Sequence, residues 1–311
     1  MTQGETADLL TASIAAAAGK VESARAKINL ALHVTGRRPD GYHDLDSLVV
    51  FAELADVLAA SPHAEPAVEL GIDGPFADHL ANTTAAGDNL VYAVADALMR
   101  AFPDKVADGI RIDLDKHLPV AAGIGGGSAD AAATLRLLNR VWGLGLDTAQ
   151  LAGLGLNLGA DVPVCVVSRP TRVEGIGDRL TPVSILPEVP MVLVNPGIAV
   201  ATADVFRRLR NPDRPALPAL PDRPISITEL VTWLRRTRND LFEPACGLSP
   251  LIERAVRMLA SDADCMFARM SGSGATVFGI FPAIEAAAAA AERLRATRPE
   301  WWVAVTRTEG S

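Results

Sequence analysis

The chain has 311 residues and a formal net charge of −8, with 49% hydrophobic and 21% charged residues. This is the composition of a globular protein, and the length corresponds to about two domains of ordinary size. The composition excludes a chain that is disordered throughout, and the acidic balance argues against a non-specific nucleic-acid binder, which needs a basic surface. Any polyanion would need a local site made of backbone N–H groups and a few cations.

The cysteines and the apolar runs indicate the compartment. Cys165, Cys246 and Cys265 are too few and too scattered for a disulfide framework, and none forms a C-x-x-C pair. We therefore expect a reducing, cytoplasmic compartment. No apolar run approaches the roughly 20 residues of a membrane span, so no membrane association is expected. A signal peptide carries Lys or Arg before its apolar run, and none precedes the alanine run within residues 1–21. We therefore predict that residues 1–21 form a loose tail.

The first predicted element is a strand over residues 24–34, where large apolar residues alternate with Lys27 and Asn29. This period of two predicts a half-buried strand, with Lys27 and Asn29 on one face and about 7 Å apart. A turn with Pro and Gly follows at 37–41, and Tyr42 and His43 come directly after it.

The rest of the chain mixes strands and helices. Apolar periodicity predicts, in chain order, a strand at 48–51, a helix at 89–101 capped by Asp88, a strand at 110–114, helices at 129–142 and 148–158, a strand at 191–194, helices at 227–236 and 251–260, a strand at 276–281, a helix at 283–297 and a strand at 301–306. The proline-rich segment 210–224 is predicted to be a surface loop. Because no evenly spaced β-α-β units occur, the pattern predicts an α+β fold with two layers per domain.

The segment from Pro119 to Asp130 is the most informative in the chain. It reads PVAAGIGGGSAD and lies between a predicted strand and a predicted helix, with Ser128 at the N-cap position. Glycines allow close backbone approach to a ligand, and the N-terminus of a helix presents free N–H groups and a positive dipole end. This combination predicts a phosphate site.

Other phosphate-binding patterns fit the segment less well. A Walker loop needs a Lys after its last glycine, and none is present. A dinucleotide fingerprint needs a third glycine where Ser128 stands, and a protein kinase needs an H-R-D stretch that the sequence lacks. The remaining pattern, P-x-x-x-G-[LI]-G-G-G-S-A-[ND], resembles the phosphate loop of the GHMP kinases, a family with galactokinase, homoserine kinase and mevalonate kinase among its members.

Further blocks extend the resemblance in the family's order over roughly residues 24–306. They are AKINL at 26–30, TGRRPDGYH at 35–43, GADVP at 159–163, NPG at 195–197 and SGSGATVF at 271–278. The first two blocks resemble the branch of the family that acts on a cytidine diphosphate-linked methylerythritol. The resemblance implies transfer of the γ-phosphoryl group of ATP, with Mg²⁺, to the 2-hydroxyl of that small molecule in the non-mevalonate route to isoprenoid precursors.

The resemblance also implies an architecture. We expect two GHMP-kinase-like α+β domains, each a sheet layered with helices, with the active site in the cleft between them. Residues 22–185 would form the ATP-binding and catalytic domain, and residues 186–311 the domain on the substrate side. We expect a monomer or a weak homodimer that binds no nucleic acid.

The catalytic positions of the family match Lys27 and Asp161. Asp161 would accept the proton of the attacking hydroxyl, and the Lys27 ammonium would favour the carboxylate form and stabilise the charge that develops in transfer. Taken alone, the local sequence also fits a turn aspartate and a solvated strand lysine.

The resemblance assigns the binding residues as well. The substrate residues are Asn29, Tyr42, His43, Thr202 and Phe206, where Tyr42 and Phe206 would sandwich the cytosine and His43 would read its edge. The ATP residues are Pro119, Val120, Ala121, Ala122, Gly123, Ile124, Gly125, Gly126, Gly127, Ser128, Ala129, Asn89 and Lys116. For Asn89 a plain helix cap, and for Lys116 a solvated strand end, remain alternatives. The Mg²⁺ ligands are not assigned.

Two other functions stay open. The chain could be another GHMP kinase, of the homoserine or mevalonate type, although those substrates carry no base for Tyr42 and Phe206 to stack on. It could also be a nucleotide-binding regulator without catalysis, which the presence of both Lys27 and Asp161 disfavours.

Overall fold

The computed structural model describes residues 20–83, 89–106 and 108–309. The predicted tail therefore lies outside the described residues except for Lys20 and Val21, and Asp88, the predicted cap, lies outside them too. No helix within the described ranges is long and apolar enough to cross a membrane.

The described residues contain ten strands and ten helices. The strands are β1 (Val21–Arg37), β2 (His43–His63), β3 (Val68–Asp73), β4 (Gly109–Asp115), β5 (Thr171–Gly175), β6 (Arg179–Pro182), β7 (Pro190–Asn195), β8 (Phe267–Met270), β9 (Val277–Ile280) and β10 (Trp302–Arg307). The helices are α1 (Ala77–Thr83), α2 (Leu90–Ala101), α3 (Gly126–Val141), α4 (Thr148–Leu156), α5 (Val162–Val167), α6 (Thr202–Arg207), α7 (Ile227–Leu234), α8 (Phe242–Leu248), α9 (Leu251–Ala260) and α10 (Ile284–Thr297).

The chain divides into two compact units that are discontinuous in sequence. Of the described residues, unit one holds 20–24, 55–83, 89–106, 108–118 and 127–167, and unit two holds 25–54, 119–126 and 168–309. The long strand β2 gives its C-terminal part to unit one and its N-terminal part to unit two. The predicted domain division at 185/186 stays a prediction.

Unit one layers helices on strands. β3 runs parallel to β4, and β4 runs antiparallel to the C-terminal part of β2. Strand β4 buries Ile110, Ile112 and Leu114, while α2 buries Val94 and Leu98 on its apolar face. The alternating burial in β4 confirms the strand predicted at 110–114. The buried apolar face of α2 confirms the helix predicted at 89–101.

Unit two contains two sets of paired strands. The N-terminal part of β2 pairs with β5, and β5 with β6, all antiparallel. A separate four-stranded antiparallel sheet has the order β10-β7-β9-β8. Helix α10 packs on β7 and β10, and α9 packs on β8 and β9. The helices predicted at 251–260 and 283–297 are confirmed as α9 and α10. Both units are therefore α+β, as predicted.

Three local predictions need correction. The strand predicted as half-buried is buried on both faces, because every residue from Ala26 to Val34 is buried, including Lys27. Helix α3 begins at Gly126 rather than at 129, so Ser128 lies in the first turn and not at the N-cap. The cost of a helical glycine is only about 1 kcal/mol relative to Ala, which the rest of this alanine-rich helix outweighs. The cap of α2 is Asn89.

Candidate active site

In unit two, Lys27 and Asn29 lie on one face of β1, as the strand period predicts. Lys27 is only 4% exposed, and its Nζ donates to Oδ1 of Asn29 at 3.2 Å. Nδ2 of Asn29 donates to Oγ of Ser47 at 2.7 Å, and that hydroxyl donates to the carbonyl of Ala31 at 2.7 Å. This line of hydrogen bonds fixes the Asn29 amide with its oxygen toward the ammonium.

The glycine segment is held in one conformation by its carbonyls. The carbonyl of Ile124 accepts from the backbone N–H of Lys27 at 2.9 Å, and that of Ala122 accepts from the N–H of Thr276 at 2.9 Å. Between them, the carbonyl of Gly123 accepts from the hydroxyl of Ser271 at 3.1 Å. The chain then leads directly into α3, whose first N–H groups lack partners within the helix.

Gly123 is required by its surroundings. Its φ is +73°, and an added Cβ would lie 2.4 Å from the carbonyl oxygen of Gly274. Ala121, two residues earlier, also adopts a positive φ, +51°. An alanine there costs free energy, about 1–2 kcal/mol, and restricts the loop more than glycine would.

The SGSGATVF segment packs against this loop, as the resemblance implies. Besides donating to Gly123, Oγ of Ser271 accepts from the backbone N–H of Asn29 at 3.1 Å. Ser271 therefore joins the glycine loop to β1. Oγ of Ser273 shares a 2.8 Å hydrogen bond with Oγ1 of Thr202, one of the predicted substrate residues, at the start of α6.

Two of the predicted base-binding residues, His43 and Phe206, are in contact in unit two. The rings of His43 and Phe206 are stacked with centroids 5.0 Å apart and an interplanar angle of 26°. This separation is typical of offset stacking between two aromatic rings. Tyr42 precedes His43 at the end of the β1–β2 turn and is 61% exposed. Burial, followed by the charge of Arg37, lowers the pKa of His43, so the ring is neutral at neutral pH and has one donor and one acceptor nitrogen.

The other predicted residues belong to unit one. Oδ1 of Asn89 accepts from the N–H of Val91 at 2.9 Å and caps α2. Asp161 is exposed and immediately precedes α5, a helix that the periodicity does not predict. Ser128 and Ala129 lie in the first turn of α3.

Lys116 is not a solvated strand end. Its side chain is 2% exposed, and Nζ donates to Oδ2 of Asp56 and, at 2.7 Å, to Oδ2 of Asp130. Burial lowers the pKa of Lys116, but the two carboxylates outweigh burial and raise it above its ordinary value. Burial raises the pKa of Asp130 to about 7, with Lys116 opposing this rise and Asp56 adding to it.

Sequence reasoning missed four residues of these networks as site residues. Ser47, Ser271, Asp56 and Asp130 act through hydrogen bonds to partners that are not adjacent in sequence. Only Asp56 leaves a local signal, as a charged residue inside a long apolar strand. Within the described ranges, no group of three or more His, Cys, Asp or Glu side chains could hold a metal ion.

Comparison with known proteins agrees with the motifs. The description "GHMP kinases N terminal domain" matches residues 89–169, and "GHMP kinases C terminal" matches residues 226–299. A 4-diphosphocytidyl-2-C-methyl-D-erythritol kinase of Cereibacter sphaeroides is 52% identical over 92% of this chain and 98% of the relative.

Solved structures give the same picture. A crystal structure of 4-(cytidine 5'-diphospho)-2C-methyl-D-erythritol kinase has a TM-score of 0.75 and 34% identity, over 94% of this chain and 100% of that one. A homoserine kinase from Cytophaga hutchinsonii has a TM-score of 0.65 at 14% identity, over 94% and 95% of the two chains. The second likeness shows the common fold alone.

Proposed function

This chain belongs to the GHMP kinases, and we propose that it transfers the γ-phosphoryl group of ATP to the 2-hydroxyl of 4-diphosphocytidyl-2-C-methyl-D-erythritol. The observation that carries the proposal is the stack of His43 on Phe206, with the exposed Tyr42 next to His43 in the chain. A small alcohol such as homoserine or mevalonate has no aromatic base to stack on these rings, whereas a nucleobase can stack on them.

The ring geometry fits a cytosine. Phe206 is half-buried, and a base stacked on its ring beside the imidazole would meet the edge of His43. Tyr42 would cover the opposite face of the base. Cytosine presents an amino donor on its edge, from which the acceptor nitrogen of a neutral imidazole can accept a hydrogen bond. Thr202 and Asn29 complete the proposed substrate residues.

The glycine loop and the start of α3 are the proposed phosphate site. Their N–H groups would bind the ATP phosphates, with Asn89 near the adenine. Mg²⁺ would neutralise charge on the phosphates. Mg²⁺ usually binds through phosphates, waters and only one or two carboxylates, so most of its ligands here would come from ATP and water.

Phosphoryl transfer then needs alignment and a destination for one proton. We assign Asp161 as the base that takes the proton of the 2-hydroxyl, and Lys27 as the cation that stabilises charge on the transferring group. The ammonium of Lys27 is preoriented by Asn29 and buried, where charge stabilisation is stronger than in water. We place this small-molecule kinase in the cytoplasm, in isoprenoid precursor synthesis.

The test is a comparison of acceptors. ADP release is measured with ATP, Mg²⁺ and, in turn, the cytidine diphosphate-linked alcohol, homoserine and mevalonate. We expect kcat/KM for the cytidine compound to exceed that for either small alcohol by at least about 10³-fold, because only it uses the base site. Preference for homoserine or mevalonate would make the chain a different GHMP kinase, and ATP binding without turnover of any acceptor would support a regulator.

A further inference from the structure

The cluster of Asp56, Lys116 and Asp130 lies entirely in unit one and joins three elements. Asp56 belongs to β2, Lys116 directly follows β4, and Asp130 lies in the second turn of α3. The side chains of Asp56 and Asp130 are 0% and 4% exposed. Removing three charges from water is costly, and apolar side chains of similar volume often stabilise a fold equally well. The cluster therefore calls for a reason beyond stability.

Its connections supply that reason. Oδ1 of Asp56 accepts from the backbone N–H of His117 at 2.6 Å and of Leu118 at 2.7 Å. These are the two residues through which the chain enters the glycine loop at 119. Asp130 stands on the helix through which the chain leaves that loop. One ammonium thus links the entrance and the exit of the segment that would bind ATP.

We propose that Asp56, Lys116 and Asp130 are positioning residues for the phosphate loop, setting the separation of its two ends and hence the affinity for ATP without touching the nucleotide. The proposal rests on the proposed role of the loop in the kinase. It gives Lys116 a different task from the direct ATP contact that the family resemblance implies. The ammonium already donates to two carboxylates and is shielded from solvent.

Asp56→Asn is the most informative variant. An Asn oxygen can still accept from His117 and Leu118, but the charge that holds Lys116 is gone. Asp130→Asn weakens the other arm in the same way. Asp240→Asn is the matched control, because Asp240 is an equally buried carboxylate that binds Arg214, Arg238 and the N–H of Val34 rather than the loop ends.

Two measurements distinguish a role in positioning the phosphate loop from a contribution to folding stability alone. Calorimetric titration with a non-hydrolysable ATP analogue measures affinity and needs no acceptor, so its result does not depend on which alcohol is phosphorylated. Amide hydrogen exchange without nucleotide measures the protection of His117 and Leu118. We expect Kd for the analogue to rise roughly tenfold in both loop-end variants, as for loss of one charge-assisted hydrogen bond. Exchange at His117 and Leu118 should accelerate in Asp56→Asn.

The control should lose thermal stability without a change in Kd. The proposal is overturned if Kd stays within twofold of the parent in both loop-end variants. It is also overturned if Asp240→Asn weakens binding as much as they do, because general destabilisation would then explain the effect. If Lys116→Met abolishes binding while both Asn variants bind normally, Lys116 contacts the nucleotide directly and the proposal is wrong.

Discussion

Lys27 places a charged group in the part of β1 where every residue from Ala26 to Val34 is buried. Its neighbour Asn29 accepts from the ammonium and is itself held by Ser47 and, through its backbone, by Ser271. A buried cation with an oriented partner loses little free energy to reorganisation when charge develops beside it. Asp161 differs, because it is exposed at the start of a short helix, a position suited to a group that must exchange a proton.

The proposed role of Asp161 as the base gives a prediction for a single residue. Asp161→Asn keeps the size of the side chain and removes the proton acceptor, so kcat should fall roughly 10²- to 10⁴-fold. Affinity for an ATP analogue and the melting temperature should stay near the parent values. Steady-state kinetics and calorimetry provide the measurements, with Asp104→Asn, an exposed turn aspartate of the same unit, as the control. If the variant kept more than half of the parent kcat, Asp161 would be a turn residue only.

At the scale of elements, the glycine loop is a preformed feature. Three consecutive carbonyls are anchored to Lys27, Ser271 and Thr276, so little conformational entropy remains to be lost when a phosphate binds. Helix α3 begins inside the glycines, which brings its first N–H groups to residues without bulky side chains.

Gly127 tests whether those N–H groups meet a ligand. Gly127 is exposed in the first turn of α3, and an added Cβ would meet only a Leu90 methyl at 3.9 Å. Gly127→Val should therefore change folding stability by less than about 1 kcal/mol. It should weaken ATP-analogue binding roughly 10- to 100-fold by blocking phosphate approach.

Gly153→Val is the matched control, because Gly153 is an exposed helical glycine of α4 with open space around it. Its affinity for the analogue should equal that of the parent. Equal affinities in all three proteins would place the nucleotide away from this helix end.

Periodicity predicted these elements well where one face is apolar, as in α2, α9 and α10. It failed for β1, because a period of two predicts one exposed face, whereas both faces of this strand are buried by elements that leave no local pattern in residues 24–34. Motif spacing placed Lys27 and Asn29 together from the strand period alone. The family resemblance placed His43 and Phe206 at one base site although 163 positions separate them, but it predicted Tyr42 rather than His43 as the ring that faces Phe206.

For the whole molecule, the discontinuous units explain why the motifs are spread along the chain. Unit two is assembled from three stretches and gathers Lys27, the first part of the glycine loop, His43 and Phe206. Unit one carries Asn89, Lys116 and Asp161. The division into two contiguous domains, 22–185 and 186–311, remains a prediction from the sequence.

Recognition of cytosine by this site is tested most directly by the KM for the cytidine diphosphate-linked acceptor in the parent and in Phe206→Ala. Aromatic stacking on a base is worth about 1–3 kcal/mol, so the KM should rise roughly 5- to 150-fold. The KM for ATP in Phe206→Ala should stay within about twofold of the parent. The acceptor KM of Phe102→Ala, a control outside the site, should also stay within about twofold. An unchanged acceptor KM in Phe206→Ala, or a change in the ATP KM alone, would contradict recognition of cytosine by this site.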